Sequence, residues 1–452
     1  MLLSSLGTSI ANVGLPTLAL AFNASFQEVQ WIVLAYLLAI TTLIVSAGRL
    51  GDLVGRRRLL LVGIALFTAA SVLCGMAPTL WLLIAARAAQ GLGAAIMMAL
   101  TMALIGETVP KAKTGSAMGL LGTLSAAGTA LGPSLGGVLI AGLGWQAIFL
   151  VNVPLGILAL FLAHRYLPSD RPMTTARVGF DSLGTLLLAL TLAAYALAVT
   201  MGRGSFGPLN MALLMAAALG VGLFVFVEAK AKSPLVRLAM FRDPAFSAGL
   251  AMNALVSTVM MATLVVGPFY LSRSLGLPAA LVGLVLSVGP VIAALSGVVA
   301  GRIVDRLGAP VTLIAGLIAM AAGSAALSVL PAVLGIVGYI AAIAVLTPGY
   351  QLFQAANNTA LMKEVKPDQR GVVSGMLNLS RNLGLMTGAS VMGAVFAFAS
   401  KATDITAASP EAVATGMQTT FAVAAILVVL AIAMAVGSRA LEVRRPLPAD
   451  LP

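Results

Sequence analysis

The chain has 452 residues, of which 60% are hydrophobic and only 9% are charged. A soluble domain cannot bury that much apolar surface, so the composition indicates that a lipid bilayer surrounds most of the chain. The net charge of +12 could suggest a nucleic-acid partner, but the distribution of the charges along the chain argues against one.

Long apolar runs follow one another along the whole chain. Runs of about twenty residues can cross a bilayer as α-helices. The sequence predicts fourteen such spans, at 6–22, 30–48, 59–76, 79–104, 115–140, 147–165, 181–200, 210–228, 246–271, 279–303, 311–330, 333–358, 371–399 and 419–438. The expected fold class is therefore an all-α membrane protein without an appended soluble domain.

Lysine and arginine are concentrated in every second loop. The loops after the even-numbered spans hold nearly all of them, whereas the opposite loops hold only Arg203, Arg273 and Lys401. By the positive-inside rule, the basic loops and both termini are expected in the cytoplasm. Topology and anionic lipid headgroups then account for the net charge, and no nucleic-acid partner is expected.

One short string occurs twice, each time where an apolar run ends. Residues 48–55 read GRLGDLVG and residues 301–308 read GRIVDRLG. A repeat over this distance in an otherwise apolar chain favours two similar halves that move against each other, as in a transporter.

Several segments resemble motifs of the major facilitator superfamily. GRLGDLVGRRRLL (48–60) is similar to its signature loop, RAAQGLGAA (87–95) to its membrane-embedded arginine motif, and GTALGPSLGG (128–137) to the antiporter motif of its exporters. LGTSIANVGLP (6–16) and WQAIFLVNVP (145–154) resemble segments typical of the fourteen-helix drug–proton antiporter branch.

This resemblance implies the architecture of the chain. It predicts a six-helix bundle in 1–167, two inserted helices with their linkers in 168–240, a second six-helix bundle in 241–440 and a cytoplasmic tail in 441–452. It also implies a central cavity that opens alternately to each side of a bacterial inner membrane. We expect a monomer that binds small-molecule substrates, the bilayer and, as a further partner, protons.

The repeated string is interpreted as a cytoplasmic gate. A carboxylate at Asp52 or Asp305 can accept hydrogen bonds from a neighbouring helix N-terminus and pair with nearby arginine, closing this side until the bundles move. The alternative is an ordinary solvated loop. The predicted gate residues are Gly48, Arg49, Asp52, Gly55, Arg56, Arg57, Gly301, Arg302, Asp305 and Gly308.

Glycines recur every four or five positions along the fifth span. They leave a stripe without side chains for close helix contact, and Pro133 is expected to bend the helix. The resemblance favours an exporter-type motif, whereas a small-residue stripe by itself indicates only packing. The motif comprises Gly128, Gly132, Pro133, Gly136 and Gly137.

Arg87 and Arg381 are the basic residues that lie within the predicted spans away from their ends. A cation at the bilayer centre costs roughly 3 kcal/mol or more, so each must face water, a partner or a substrate. Polar residues share helix faces with them, and we predict one cavity, with polar contacts between helices as the alternative. The predicted lining is Asn12, Arg87, Gln90, Gln351, Gln354, Asn358, Asn378, Arg381 and Asn382.

The sequence departs from the family at Gly7, where the resembling branch usually places an acid. No Asp or Glu lies at mid-membrane depth, although a proton-coupled exporter of cations needs a buried carboxylate. Anionic, zwitterionic or neutral substrates are therefore expected. Any proton coupling would need an edge acid such as Glu28, Glu107 or Asp181.

The expected function is a secondary active exporter of small organic molecules of the multidrug type, with proton coupling. The alternative is a dedicated exporter or facilitator of an anionic or neutral metabolite without proton antiport. One histidine and one cysteine cannot assemble an active site or metal centre, so neither an enzyme nor a cofactor is expected. Gly7 normally lies in mid-helix in this family, which predicts either a shortened first helix or an apolar extension upstream of Met1.

Overall fold

The computed structural model describes residues 1–24, 26–168, 170, 181–200, 207–231, 234–363, 365–366, 369–401 and 409–443. Nearly all of them are helical. The α-helices are α1 (Leu2–Ala21), α2 (Phe26–Val54), α3 (Arg56–Gly75), α4 (Leu80–Thr108), α5 (Thr114–Leu143), α6 (Ala147–Leu150), α7 (Asn152–Tyr166), α8 (Ser182–Thr200), α9 (Pro208–Lys230), α10 (Pro244–Phe269), α11 (Ala279–Leu307), α12 (Ala309–Lys363), α13 (Arg370–Ala399) and α14 (Pro410–Val443).

These helices correspond to the fourteen predicted spans. Helices α6 and α7 form the sixth, and α12 contains the eleventh and twelfth, since Gly335 separates its two parts with φ 56° and ψ −130°. Eleven helical segments of the described chain are long and apolar enough to cross a bilayer when 309–363 is counted once. With α1, α5 and the second part of α12, they confirm the predicted all-α membrane fold.

The repeated string lies inside helices rather than in loops, which corrects its expected position. Helix α2 continues to Val54 and α11 to Leu307. Each ends at a glycine with positive φ, Gly55 at 111° and Gly308 at 82°, a conformation that glycine adopts without a steric penalty. The two aspartates therefore lie on the last turns of rigid helices.

The helices form two groups, each with an apolar core of its own, and a third cluster of buried apolar residues joins the two groups. Helices α1–α7 surround buried residues that include Leu6, Ile32 and Phe149. Helices α10–α14 surround a second core that includes Leu317, Phe353 and Phe421. We call these groups the first and second bundles. Helices α8 and α9 pack against each other, and α8 also packs along α2 and α13.

The glycine stripe of α5 contacts α1, within the first bundle. A Cβ atom at Gly128 would lie 2.5 Å from the carbonyl oxygen of Leu2, and one at Gly136 would lie 3.1 Å from Ile10 Cγ1. A Cβ atom at Gly132 would collide with Ser9. Gly137 has no atom within 4 Å of this position and lies off the stripe. The predicted bend at Pro133 falls outside the described side chains.

We predict that Gly132→Ala lowers the thermal unfolding temperature in detergent, because the added methyl group must separate α1 from α5. Overpacking of this kind costs about 1–3 kcal/mol. Gly137→Ala is the matched control on the same helix, since its methyl group enters open space. Equal unfolding temperatures for the two variants would contradict the packing described.

Candidate functional site: a central cavity closed at one end

The two bundles contact each other at the end of the molecule that carries the arginine- and lysine-rich loops, which we call the basic end. Here the backbones of α2 and α13 lie so close together that a Cβ atom at Gly48 would collide with the Gly371 carbonyl oxygen. The Asp52 carboxylate accepts hydrogen bonds from the N–H groups of Gly371 at 3.0 Å and Val372 at 3.3 Å. Asp52 thus caps the N-terminus of a helix in the opposite bundle.

Asp52 is also held by a cation from its own bundle. Arg56 donates to Asp52 through Nε at 3.1 Å and Nη2 at 2.7 Å, and its Nη1 lies 2.7 Å from Glu107 Oε2. Asp52 is 3% exposed, so its charge is balanced by one guanidinium and two helix N–H groups rather than by water. Charge-assisted contacts of this type are the stronger hydrogen bonds in proteins.

The second copy of the string makes the equivalent contact between α11 and α5. The Asp305 carboxylate accepts hydrogen bonds from the N–H groups of Gly115 at 2.8 Å and Ser116 at 2.9 Å, and from the Ser116 hydroxyl group. A Cβ atom at Gly301 would collide with the carbonyl oxygen of Gly115. Both copies thus place an aspartate against the first turn of a helix in the other bundle.

The other predicted gate residues have different positions. Gly55 and Arg57 lie at the start of α3, where the Asp170 carboxylate accepts the Arg57 N–H at 2.9 Å. Arg57 also donates to the carbonyl oxygen of His164. Arg49 is buried and Arg302 is exposed. The contact residues on the partner helices, Gly115, Ser116, Gly371 and Val372, were not predicted, although each follows a basic loop and begins a span.

A cavity of about 1180 Å³ lies between the two bundles. Helices α1, α2, α4 and α5 of the first bundle and α10–α13 of the second contribute to its wall. The wall extends away from the basic end and includes Val33, Phe269 and Ala397, which lie near the opposite ends of their helices. Among the described residues, no group of three or more His, Cys, Asp or Glu could hold a metal ion.

Six of the nine predicted cavity residues line this space: Asn12, Gln351, Gln354, Asn358, Arg381 and Asn382. Gln354 donates to Tyr350 Oη at 2.9 Å, while its Oε1 and the Arg381 Nε have no partner among the described residues. Ser4, Ser5, Thr8 and Ser9 line the first bundle's side. Their helical spacing with Asn12 is the sequence signal that could have identified them.

Arg87 and Gln90 do not line the cavity, which corrects their expected position. Both are 0% exposed. The Arg87 guanidinium donates through Nε to the Ile32 carbonyl oxygen at 2.9 Å and through Nη1 to Gln90 Oε1, and lies 4.1 Å from the Tyr36 ring centroid. Gln90 in turn donates to Ser71 Oγ at 2.7 Å. These contacts and the aromatic face replace most of the water around the cation, whose Nη2 has no hydrogen-bond partner among the described residues.

Asn378 is the third corrected position. It is 1% exposed, and its Nδ2 donates to the Ser374 carbonyl oxygen at 2.9 Å and to the Met98 carbonyl oxygen at 3.4 Å. Ser374 donates to the carbonyl oxygen of Ala99. Both side chains connect α13 to α4, so Asn378 serves the polar helix contact that was the alternative interpretation.

Gly7 lies beside the Arg87 network rather than on the cavity wall. A Cβ atom there would lie 3.3 Å from Phe67 Cζ and 3.4 Å from Tyr36 Oη. The Tyr36 hydroxyl group donates to the Ser4 carbonyl oxygen at 2.9 Å. The space where the resembling branch has an acid is therefore occupied by two aromatic side chains, and Arg381 is the one charged side chain among the described cavity residues.

We predict that Asp52→Asn opens the basic end. The variant removes the ion pair with Arg56 and weakens the cap on α13, and hydrogen bonds to charged groups contribute about 1.5–3 kcal/mol. Distances between spin labels on the basic ends of α2 and α13, measured by pulsed electron paramagnetic resonance, should shift toward longer values.

Asp243→Asn is the matched control for this experiment. Asp243 is exposed and caps its own helix, α10, through the Ala245 N–H at 3.1 Å. It should leave the distance distribution unchanged. An unchanged distribution in Asp52→Asn would contradict a closing role for this carboxylate.

Comparisons with known proteins agree with this geometry. The profile of the Major Facilitator Superfamily matches residues 1–389. The multidrug resistance protein Stp of Mycobacterium tuberculosis is 34% identical over 86% of this chain and 72% of its own length. The riboflavin transporter RibZ of Clostridioides difficile is 30% identical over 87% of this chain and 86% of its own.

A solved structure shows the same fold at low sequence identity. The human organic anion transporter MFSD10 superposes with a TM-score of 0.66 and 14% identity, covering 96% of this chain and 97% of its own. Two helical bundles, a central cavity and a family match over most of the chain lead to one conclusion. The chain belongs to the Major Facilitator Superfamily and is a multi-pass membrane transporter of small molecules, not an enzyme.

Proposed function

We propose that this transporter exports small amphipathic organic molecules from the cytoplasm by alternating access, with a preference for anionic and neutral compounds. The observation that supports this proposal most directly is the cavity of about 1180 Å³, closed at the basic end by Asp52 and Asp305 and lined by a single charged side chain, Arg381.

The orientation follows from the charges. The basic loops favour the cytoplasmic side of a bacterial inner membrane, so the structure corresponds to a state closed toward the cytoplasm. Rocking of the bundles would break the contacts of both aspartates and expose the cavity to the cytoplasm. The two gates are built from the same string, which supports a roughly symmetric movement of the two bundles.

The cavity wall suits amphipathic molecules. Seven methionines line it, at positions 1, 98, 102, 118, 260, 261 and 386. Flexible thioether side chains adapt to ligands of different shapes, while hydroxyl and amide groups on α1 and α12 offer hydrogen bonds. Among the relatives, Stp is named for multidrug resistance and RibZ for riboflavin transport.

Arg381 supports the preference for anionic substrates. Its Nε is a buried atom without a hydrogen-bond partner among the described residues, and so is Oε1 of Gln354, another residue of the wall. Arg381 is half-buried and lines the cavity, so a bound anion that pairs with its guanidinium gains affinity. A lipophilic cation would meet repulsion from the guanidinium and no compensating carboxylate among the described lining residues.

A second candidate function is export without proton antiport. The described cavity wall holds no Asp or Glu, and Glu107, one of the edge acids considered for coupling, is engaged by Arg56 at 2.7 Å. Proton coupling would then depend on acids outside the cavity. Efflux from proteoliposomes that responds to an imposed pH gradient and is abolished by a protonophore would favour antiport over this alternative.

We predict that Arg381→Gln reduces efflux of carboxyfluorescein from proteoliposomes by about tenfold or more, since a hydrogen bond to a charged group contributes about 1.5–3 kcal/mol. Efflux of the cationic dye ethidium should be slow in the native protein and should not fall in the variant. Efflux of both dyes should be measured in proteoliposomes that contain the purified protein, under the same imposed pH gradient.

Arg273→Gln is the matched control. It removes the same charge from an exposed position after α10 that does not line the cavity. It should transport carboxyfluorescein at the native rate. Fast proton-driven ethidium efflux by the native protein, or unchanged carboxyfluorescein efflux in Arg381→Gln, would contradict the proposed preference.

A further inference from the structure

Helix α8, the first of the two inserted helices, lies against both bundles. It packs along α2 of the first and α13 of the second. These two helices touch at the basic end through Gly48 and Gly371. Farther from that end both contribute to the cavity wall, through Leu34 and Leu37 on α2 and through Ala389 and Gly393 on α13. The seam between them therefore borders the cavity, and α8 lies along this seam.

Two hydrogen bonds hold α8 to the second bundle beside the cavity. The hydroxyl groups of Tyr195 and Thr387 form a hydrogen bond with each other, and Ser390 Oγ donates a hydrogen bond to the Val199 carbonyl oxygen. Tyr195 and Val199 are four residues apart on α8, and Thr387 and Ser390 are three apart on α13, so each pair lies on one helix face. Together they hold the last turns of α8 against the second half of α13.

Val199 itself lines the cavity, together with its partner Ser390. In contrast, Leu183, Leu186 and Leu190 on α8 are between 55% and 59% exposed and face away from the bundles. The inserted helix thus has a lipid-facing side and, near its end, a residue that reaches the space between the bundles.

We infer that α8 forms a side wall of the substrate cavity and that Val199 is a residue that determines substrate size. The role of Val199 in substrate selection rests on the proposed function. Its position on the cavity wall does not depend on that proposal. A larger side chain at position 199 would narrow the cavity at the seam between α2 and α13. It would leave unchanged the amide groups of α12 and α13 and the Arg381 guanidinium that line the cavity.

The first test measures access to position 199 without a substrate. Val199→Cys in lipid vesicles should react with a membrane-impermeant maleimide added from the side opposite the basic end. The native protein serves as the blank, because its one cysteine, Cys74, is 0% exposed.

Met211→Cys is the depth-matched control. Asn210 Nδ2 donates to the Ala198 carbonyl oxygen at 2.6 Å, which places the start of α9 level with the end of α8, and Met211 is 54% exposed toward lipid. Val199→Cys should react much faster than Met211→Cys. Equal, slow labelling at both positions would overturn the assignment of Val199 to the cavity wall.

The second test measures size selection with two anionic probes, 1-naphthalenesulfonate and the larger carboxyfluorescein. Val199→Trp should lower the efflux ratio of the larger to the smaller probe by about tenfold, within the range that small changes in pocket size produce. Leu190→Trp, on the lipid-facing side of α8, should keep the native ratio. An equal loss for both probes in Val199→Trp would overturn the size-selecting role.

The outcomes separate the two proposals. A native protein that exports neither anion contradicts the proposed function, and labelling then decides alone whether Val199 lines the cavity. Native export of both anions together with slow labelling at position 199 supports the proposed function and overturns this inference.

Discussion

The structure depends on two places where a helix of one bundle meets the first turn of a helix of the other. Gly48 and Gly301 allow the backbones to approach, and Asp52 and Asp305 then reach the free N–H groups that begin α13 and α5. A helix N-terminus carries unsatisfied donors and a partial positive charge, so a carboxylate is its natural partner. The bundles meet backbone to backbone at this end, and the cavity between them lies beyond it.

Contacts of this kind are suited to a reversible closure. Each carboxylate accepts several hydrogen bonds, but a hydrogen bond to a charged group contributes only about 1.5–3 kcal/mol in net terms. The contacts of Asp52 and Asp305 can hold the bundles together at the basic end. They are also weak enough to break if the proposed opening toward the cytoplasm takes place. Each of the two contacts joins one bundle to the other, so separating the bundles at the basic end must break both.

The two arginines within the spans, Arg87 and Arg381, have different surroundings. Arg87 is enclosed by the Ile32 carbonyl oxygen, the Gln90 side chain and the Tyr36 ring, so its charge is used within the first bundle. Arg381 remains on the cavity wall with an unpaired Nε. Only the second cation lines the cavity, and the proposed preference for anionic substrates therefore depends on Arg381.

Length, apolar runs and the distribution of Arg and Lys determined the membrane class and the fourteen helices, because the bilayer imposes a span length and a charge bias that are readable residue by residue. The repeated string at 48–55 and 301–308 likewise pointed to Asp52 and Asp305 as residues that contact a neighbouring helix N-terminus. The destinations of the polar side chains needed the tertiary structure. Arg87 and Arg381 look equivalent as isolated cations in apolar runs, yet one is enclosed by neighbouring helices and the other faces the cavity. The position of α8 against α2 and α13, which brings Val199 to the cavity wall, was equally invisible, since helix neighbours are set by packing between residues far apart in the chain.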